Sequence, residues 1–497
     1  MTQDTSKFSL TTWLIVIIAS IGFLFDTYEL LMTPLTAPPA IAELLDLPLN
    51  HPSVALWFGR LLWIAALCGG VFGLIGGAMT DRLGRKFVMA AAIFVYSLSP
   101  FFAAYSTSLE MFIFFRSTTF IGVCVEFVAA ITWLAEVFED KKQRERWLGI
   151  TQAFASLGGV LVTLVSVYVL ANSKNFYHLG LPLPPNGTDP SAWRYLLMTG
   201  FFPAIPIALL LPFVPESRIW KEKKAAGTLK RPKISALFAP EFRRTTIVTA
   251  LLSACAYGIA FGALQLTPKS IAPGLPELSA QAKELAPLRK QAAALNKELD
   301  LTAPGSPERK EVRGKLIANK KLQDPLTKQV AEVGDTVQLF QEMGGLVGRI
   351  LLAVFIIFGL SRVLTLKLFQ VPALIIIPLT YFVLFKSGGS NFMWFYGVCG
   401  LLTVAQFSYF GEYLPKVFPM HLRGTGGSFA TNVGGRMIGT SMAVVTTNFV
   451  APWLAGGTDK VSPIFIAQAA GCVATSLAVL ALVIGMFLPE PKTLVED

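Results

Sequence analysis

The 497 residues are 53% apolar and only 15% charged, a balance that excludes the roughly three soluble domains this length would otherwise suggest. Read for apolar runs of about 18 residues or more, the chain offers roughly twelve, which predicts an all-α integral membrane protein and removes soluble enzymes and nucleic-acid binders. The net charge of +11 needs no nucleic acid, because Lys and Arg collect in the cytoplasmic loops of membrane proteins.

The first run, 12–36, follows a short polar opening and continues well past the apolar core of a signal peptide, so it is expected to remain as a helix. Within it stands Phe25-Asp26-Thr27-Tyr28-Glu29-Leu30, about 22 Å along a helix rising 1.5 Å per residue from Thr12. Both acids then lie inside the bilayer, where an ionisable side chain is costly unless paired, hydrated or protonated, and marks a functional site by default. Three residues apart, Asp26 and Glu29 are expected to share a face. Two carboxylates that oppose each other's ionisation suit a proton carrier; a structural pair with Arg116 or Arg349 is the other reading.

Runs 55–80 and 87–105 flank Gly77-Ala78-Met79-Thr80-Asp81-Arg82-Leu83-Gly84-Arg85-Lys86. Glycine lets a helix end and turn tightly, Asp81 can meet a helix N-terminus or an arginine, and Arg82, Arg85 and Lys86 hold the turn at the membrane face. Run 109–137 carries Arg116, Glu126 and Glu136 ten apart. Runs 147–171 and 192–214 follow, the latter with Pro203 and Pro206 as sites of bending.

The basic stretch 215–243 reads as a cytoplasmic linker between two six-helix halves, 1–214 and 244–497. Run 244–266 holds Tyr257 and Gln265. Residues 267–337 are then polar, charged and too long for a simple connection. Leu285, Leu288, Ala292, Leu295 and Leu299 form a three-four stripe and DLTAPGSPER turns the chain, which predicts a helical hairpin outside the membrane. It is either a cap on the outer helix ends or an arm for a protein partner. Runs 338–360, 363–385, 392–418, 424–452 and 463–488 complete the set.

Arg116 and Arg349 would hold a carboxylate or phosphate bidentately if they face a central cavity, or else neutralise Asp26 or Glu126. Tyr28, Tyr257, Gln265, Gln341, Gln406 and Tyr409 either line that cavity or make interhelical hydrogen bonds. Arg60 and Arg436 stand nearer span ends and read as interface or packing anchors. Alternate short loops hold nearly all the loop Lys and Arg, the others only Lys174, Lys386 and Lys460, so both termini are expected in the cytoplasm. Five scattered cysteines and three isolated histidines leave no metal site or His-based triad to build.

The 77–86 segment resembles the cytoplasmic loop motif of the major facilitator superfamily, a likeness that twelve spans in two halves extend along the whole chain. Resemblance to that family implies a cytoplasmic gate latch at Asp81 and Arg85; the matching place in the second half, Gly359-Leu360-Ser361-Arg362, lacks the acid. Pro215-Glu216-Ser217-Arg218 and Leu488-Pro489-Glu490 look like elements of its sugar-porter and metabolite:proton symporter branch. Arg116, Glu126 and Glu136 are similar to that branch's fourth-span pattern, with Phe120, Cys124 and Val125 where it has glycines, and Glu412, Pro415, Pro419 and Arg423 resemble its tenth-span end. Glu136 with Arg144 and Glu412 with Arg423 are expected as gate ion pairs or, alternatively, as solvated interface charges, and Arg82, Glu216 and Arg218 belong to the same gate.

These readings converge on a multi-pass transporter of the cell membrane, monomeric, not an enzyme, with the proton as coupling ion and no other cofactor. It would take up a small polar or anionic metabolite by alternating access, with Asp26, Glu29 and Glu126 carrying the proton. A facilitator or sugar porter for a neutral solute is the alternative within transporters; a receptor or scaffold using the hairpin is the alternative outside them.

Overall fold

The computed structural model describes residues 10–49, 51–138, 141–185, 188–202, 204–227, 234–302, 307–358, 360–418 and 422–489. Apolar side chains on every face of a run favour a helix buried among others or in lipid, and that is how the chain folds. Helices α1 (Leu10–Leu44), α2 (Pro52–Leu83), α3 (Arg85–Ala103), α4 (Leu109–Val137) and α5 (Lys141–Asn172) come first. Local chemistry sets their ends: His51 and Ser108 accept from the backbone N–H of Ser53 and Met111 at the starts of α2 and α4. Gly84, at φ 103°, turns the chain between α2 and α3.

The run 192–214 is broken into α6 (Ala192–Met198), a 3-10 turn, α7 (Ala204–Leu210) and a second 3-10 turn. Pro206 and Pro212 remove backbone donors there. Arg194 ties α6 to the end of α1 through Glu43 at 2.9 Å, and to the α3–α4 turn through the carbonyls of Ala104 and Ser106.

The short α8 (Arg218–Ala225) precedes α9 (Arg243–Gly262). The chain after α9 does not leave the protein at 267: Thr267–Ile271 forms a buried π-helical turn, so the exposed arm begins nearer 275 than expected. Helix α10 (Ser279–Leu301) follows, and α11 (Pro307–Ile357) runs 51 residues without a break from the arm into the membrane segment. Pro325 lies inside α11 and does not end it. The stripe of α10 packs on α11, Leu285 with Val330 and Leu295 with Val312 and Leu316.

Helices α12 (Arg362–Pro378), α13 (Gly389–Val417), α14 (Arg423–Ser428), a π-helical stretch Phe429–Gly439 and finally α15 (Pro463–Gly485) complete the chain. Among the described residues, ten helices are long and apolar enough to cross a membrane, against the twelve runs expected; the proline-broken 192–214 and the run 392–418 are not among them. Close approaches hold the bundle together. A Cβ on Gly158 of α5 would lie 1.9 Å from the Leu24 carbonyl oxygen of α1, and one on Gly344 of α11 would lie 1.8 Å from that of Gly397 on α13, so both positions need the missing side chain. The segments before and after residue 215 meet where α2 packs on Phe429–Gly439 and α5 on α11.

Candidate functional site

At the 83–86 end, three carboxyl and guanidinium groups converge. Arg85 is buried and points its Nε and Nη2 at Glu136, the closest approach being 2.8 Å, while Nη1 donates to the Thr80 carbonyl. Glu216 accepts from the backbone N–H groups of Arg85 and Lys86 at 3.0–3.1 Å, occupying the positive end of α3. Ser217 caps α8 and donates to Glu136. Of the expected gate, Arg85, Glu136 and Glu216 are thus brought together. Arg218 pairs instead with Glu222 on the surface, and Arg82 is exposed. The side chains of Asp81, Arg144, Glu412 and Arg423 lie outside the described residues.

The three acids expected to act together have different neighbours. Glu29 lies 3.6 Å from Arg116, whose Nη2 also donates to the Glu29 carbonyl and to Thr33, and its carboxyl packs on Gly200 between α3 and α6. Asp26, one turn earlier on the same helix, lies 3.5 Å from Arg436. The two therefore pair with different arginines, Arg116 of α4 and Arg436 of the 429–439 stretch. Glu126 is fully buried against Gly22, and neither of its oxygens has a hydrogen-bond partner. Tyr28 meets Thr199 at 2.6 Å.

A cavity of about 130 Å³ lies between α1, α9, α11, α13 and the stretch 429–439, and is lined by Asp26, Tyr257, Gln265, Gln341, Glu342, Arg349 and Arg436. Phe23, Phe127, Phe261, Phe407 and Phe410 supply apolar walls. Tyr257 is set between two of these rings, 4.6 Å from Phe407 and stacked on Phe261 at 6.1 Å. Of the residues named from the sequence, Tyr257, Gln265, Gln341 and Arg349 line this cavity. Arg116 and Tyr28 do not line the cavity, Arg116 being engaged by Thr33 and Tyr28 by Thr199. Gln406 bonds to the Leu402 carbonyl one turn back, and Tyr409 stacks on Tyr413 at 5.5 Å, both buried outside the cavity wall.

Two lining residues overturn or extend that reading. Arg436 is no end anchor: it is buried, lies over the Phe127 ring at 5.1 Å and reaches Asn432 at 3.4 Å as well as Asp26. It stands near the middle of the run 424–452 rather than at its end, within the π-helical stretch Phe429–Gly439. Glu342 was not singled out, although an acid within the run before Gly344-Gly345 is its own signal. Arg60 sits over Trp57 at 4.9 Å on an exposed face, as expected of an anchor. Such a cavity offers guanidinium groups to an anion, carboxyls to a proton, and aromatic faces to a flat apolar body.

The family model described as Major Facilitator Superfamily matches residues 9–282. Among curated relatives, the niacin transporter NiaP of Acinetobacter baylyi is 25% identical over 40% of this chain and 40% of its own length. The 4-hydroxybenzoate transporter PcaK of Pseudomonas aeruginosa is 31% identical over 35% of this chain and 36% of its own. The chain thus matches well under two thirds of the length of these relatives. The xylose transporter XylE from E. coli, solved in a partially occluded inward open conformation, has the same fold: TM-score 0.62 at 14% identity, over 98% of this chain and all of that one.

Proposed function

Because the chain belongs to the Major Facilitator Superfamily, we propose that it is a proton-coupled symporter that takes up a small organic anion by alternating access. In this reading twelve spans form two halves, 1–214 and 244–497, joined by the cytoplasmic linker 215–243. The arm between α9 and α11, expected over 267–337, projects on the outer side, and both termini are cytoplasmic.

One observation carries the proposal: Asp26 from α1 and Arg436 from the 429–439 stretch meet at 3.5 Å across the wall of the cavity. Ionised, the pair is neutral and tolerates burial, so the empty carrier can reorient. A substrate carboxylate competes with Asp26 for the guanidinium. If it succeeds while Asp26 stays charged, the site holds an extra negative charge, which costs at least about 2.5–3.5 kcal/mol inside a bilayer. Protonating Asp26 removes that charge. Anion and proton therefore bind together, and only the empty and doubly loaded forms reorient cheaply.

The aromatic walls favour a planar carboxylate, and the names of the niacin and 4-hydroxybenzoate relatives are consistent with it. Gln265 and Gln341, with Ser253, Ser408 and Thr431 beside them, support a second reading, a facilitator or sugar porter for a neutral solute. Proteoliposomes with a trapped pH dye, challenged with aromatic and aliphatic acids, phosphate, sugars and amino acids, separate the two. Proton influx driven by an acid supports symport. Exchange of a labelled sugar without proton movement overturns it.

A further inference from the structure

A second carboxyl faces the cavity from α11. Glu342 is 5% exposed, and its Oε1 accepts from the neutral amides of Gln338 at 2.9 Å and Gln341 at 2.8 Å. Gln341 is itself held by Tyr396, whose hydroxyl lies 2.6 Å from the amide oxygen and 2.8 Å from the Leu264 carbonyl. The other carboxyl oxygen lies against α5: a Cβ on Gly159 would come within 2.1 Å of Oε2 and 2.7 Å of Leu31. Glu342 therefore fills the seam between α5 and α11, in a space that exists because residue 159 has no side chain.

The charged and titratable groups that share its surroundings are Arg349 two turns along α11, Asp26 on α1, Arg436 on the 429–439 stretch, Tyr257 on α9 and Tyr396 on α13. On α5 its neighbour is glycine, and on α1 it is leucine. One oxygen of Glu342 is satisfied by amides, while the other lies against Gly159 at the α5–α11 seam beside the cavity, and a largely buried carboxylate with only neutral donors is more costly than a carboxylic acid. A seam that opens admits water and lets that proton exchange; a closed seam traps it.

We propose that Glu342 is a second proton-holding residue of the transport cycle, taking up and releasing a proton as α5 and α11 part and close. This deepens the proton-coupled reading and rests on it. The test compares wild type with Glu342→Gln and Glu342→Asp in proteoliposomes, reading dye-reported proton influx and labelled substrate in parallel. Glu342→Gln is expected to lower the proton-to-substrate ratio and to flatten the pH dependence of substrate exchange, with Glu342→Asp restoring both in part. An unchanged ratio and pH profile overturns the proposal.

A second measurement needs no variant. A hydrophobic carbodiimide, which reacts with buried protonated carboxyls, is applied to the wild type over a pH series and the adduct located by mass spectrometry. An adduct on Glu342 that declines as pH rises supports the proposal, and its absence at acid pH overturns it. Wild-type vesicles that show no solute-driven proton influx overturn the parent reading alone, because the adduct reports the proton on Glu342 independently.

Discussion

Arg436 and Asp26, 410 residues apart in the chain, meet at 3.5 Å inside the protein. One stands on the first helix and the other on a π-helical stretch near the end, so the contact joins the parts of the chain that alternating access would move against each other. It also places a proton acceptor and an anion receptor in direct competition. Each can be perturbed separately.

Asp26→Asn keeps the shape and removes the titration. Proton-driven accumulation is expected to disappear while exchange of substrate across the membrane persists; labelled-substrate uptake with and without an imposed pH gradient measures both. Full accumulation by the variant would remove Asp26 from the coupling step.

Arg436→Gln is expected to weaken substrate binding by about tenfold to a hundredfold, the worth of a charge-assisted hydrogen bond of about 1.5–3 kcal/mol. Arg436→Lys should recover little, since a point charge does not reproduce the planar fork. Transport kinetics decide this, with the loss expected in KM. Equal activity of the lysine variant would mean that the charge alone suffices.

Glu136→Gln leaves Arg85 buried beside a neutral group at the 83–86 end. Breaking a buried pair costs about 3–5 kcal/mol, and the low end applies here because the Glu136 side chain is 18% exposed. A lower melting temperature in detergent is expected, with faster thiol labelling of cysteines introduced at that end.

At the opposite end, Lys269 of the π-helical turn pairs with Asp335 of α11, and Ser166 of α5 donates to the same carboxylate at 3.0 Å. Both charges are buried, so Asp335→Asn alone is expected to destabilise by about 3–5 kcal/mol, and Lys269→Met with Asp335→Leu by much less. Thermal unfolding of the single and double variants reads the difference directly. A double variant as unstable as the single one would refute the charge argument.

Gly344→Ala is expected to cost at least about 3 kcal/mol, because the new Cβ would lie 1.8 Å from a backbone oxygen of α13. Gly427→Ala, where nothing lies within 4 Å, is the control. Monodisperse yield after extraction measures both.

Much of this was written in the sequence. Apolar runs locate membrane helices because backbone polar groups in lipid must be satisfied within the helix. The acids of α1 announce a functional segment because such charges are expensive there. The turn at Gly84 follows from local rules of helix ends, whereas Glu216 was named only by the resemblance and reaches the start of α3 from 131 residues away. Periodicity also marked the α10 stripe, of which Leu285 and Leu295 are buried.

Only the tertiary structure decided which charge meets which. Asp26 and Glu29 are three residues apart, yet one meets Arg436 and the other Arg116, because the partners come from different segments of the chain, the 429–439 stretch and α4. Arg436 lines the cavity because the packing of the 429–439 stretch on α2 and α9 brings it to Asp26 of α1. Glu342 is poised in the α5–α11 seam because Gly159, 183 positions earlier, leaves room for it. Sequence spacing describes neighbours along one helix. Partners on different helices are chosen by packing, and packing is settled only when the whole bundle closes.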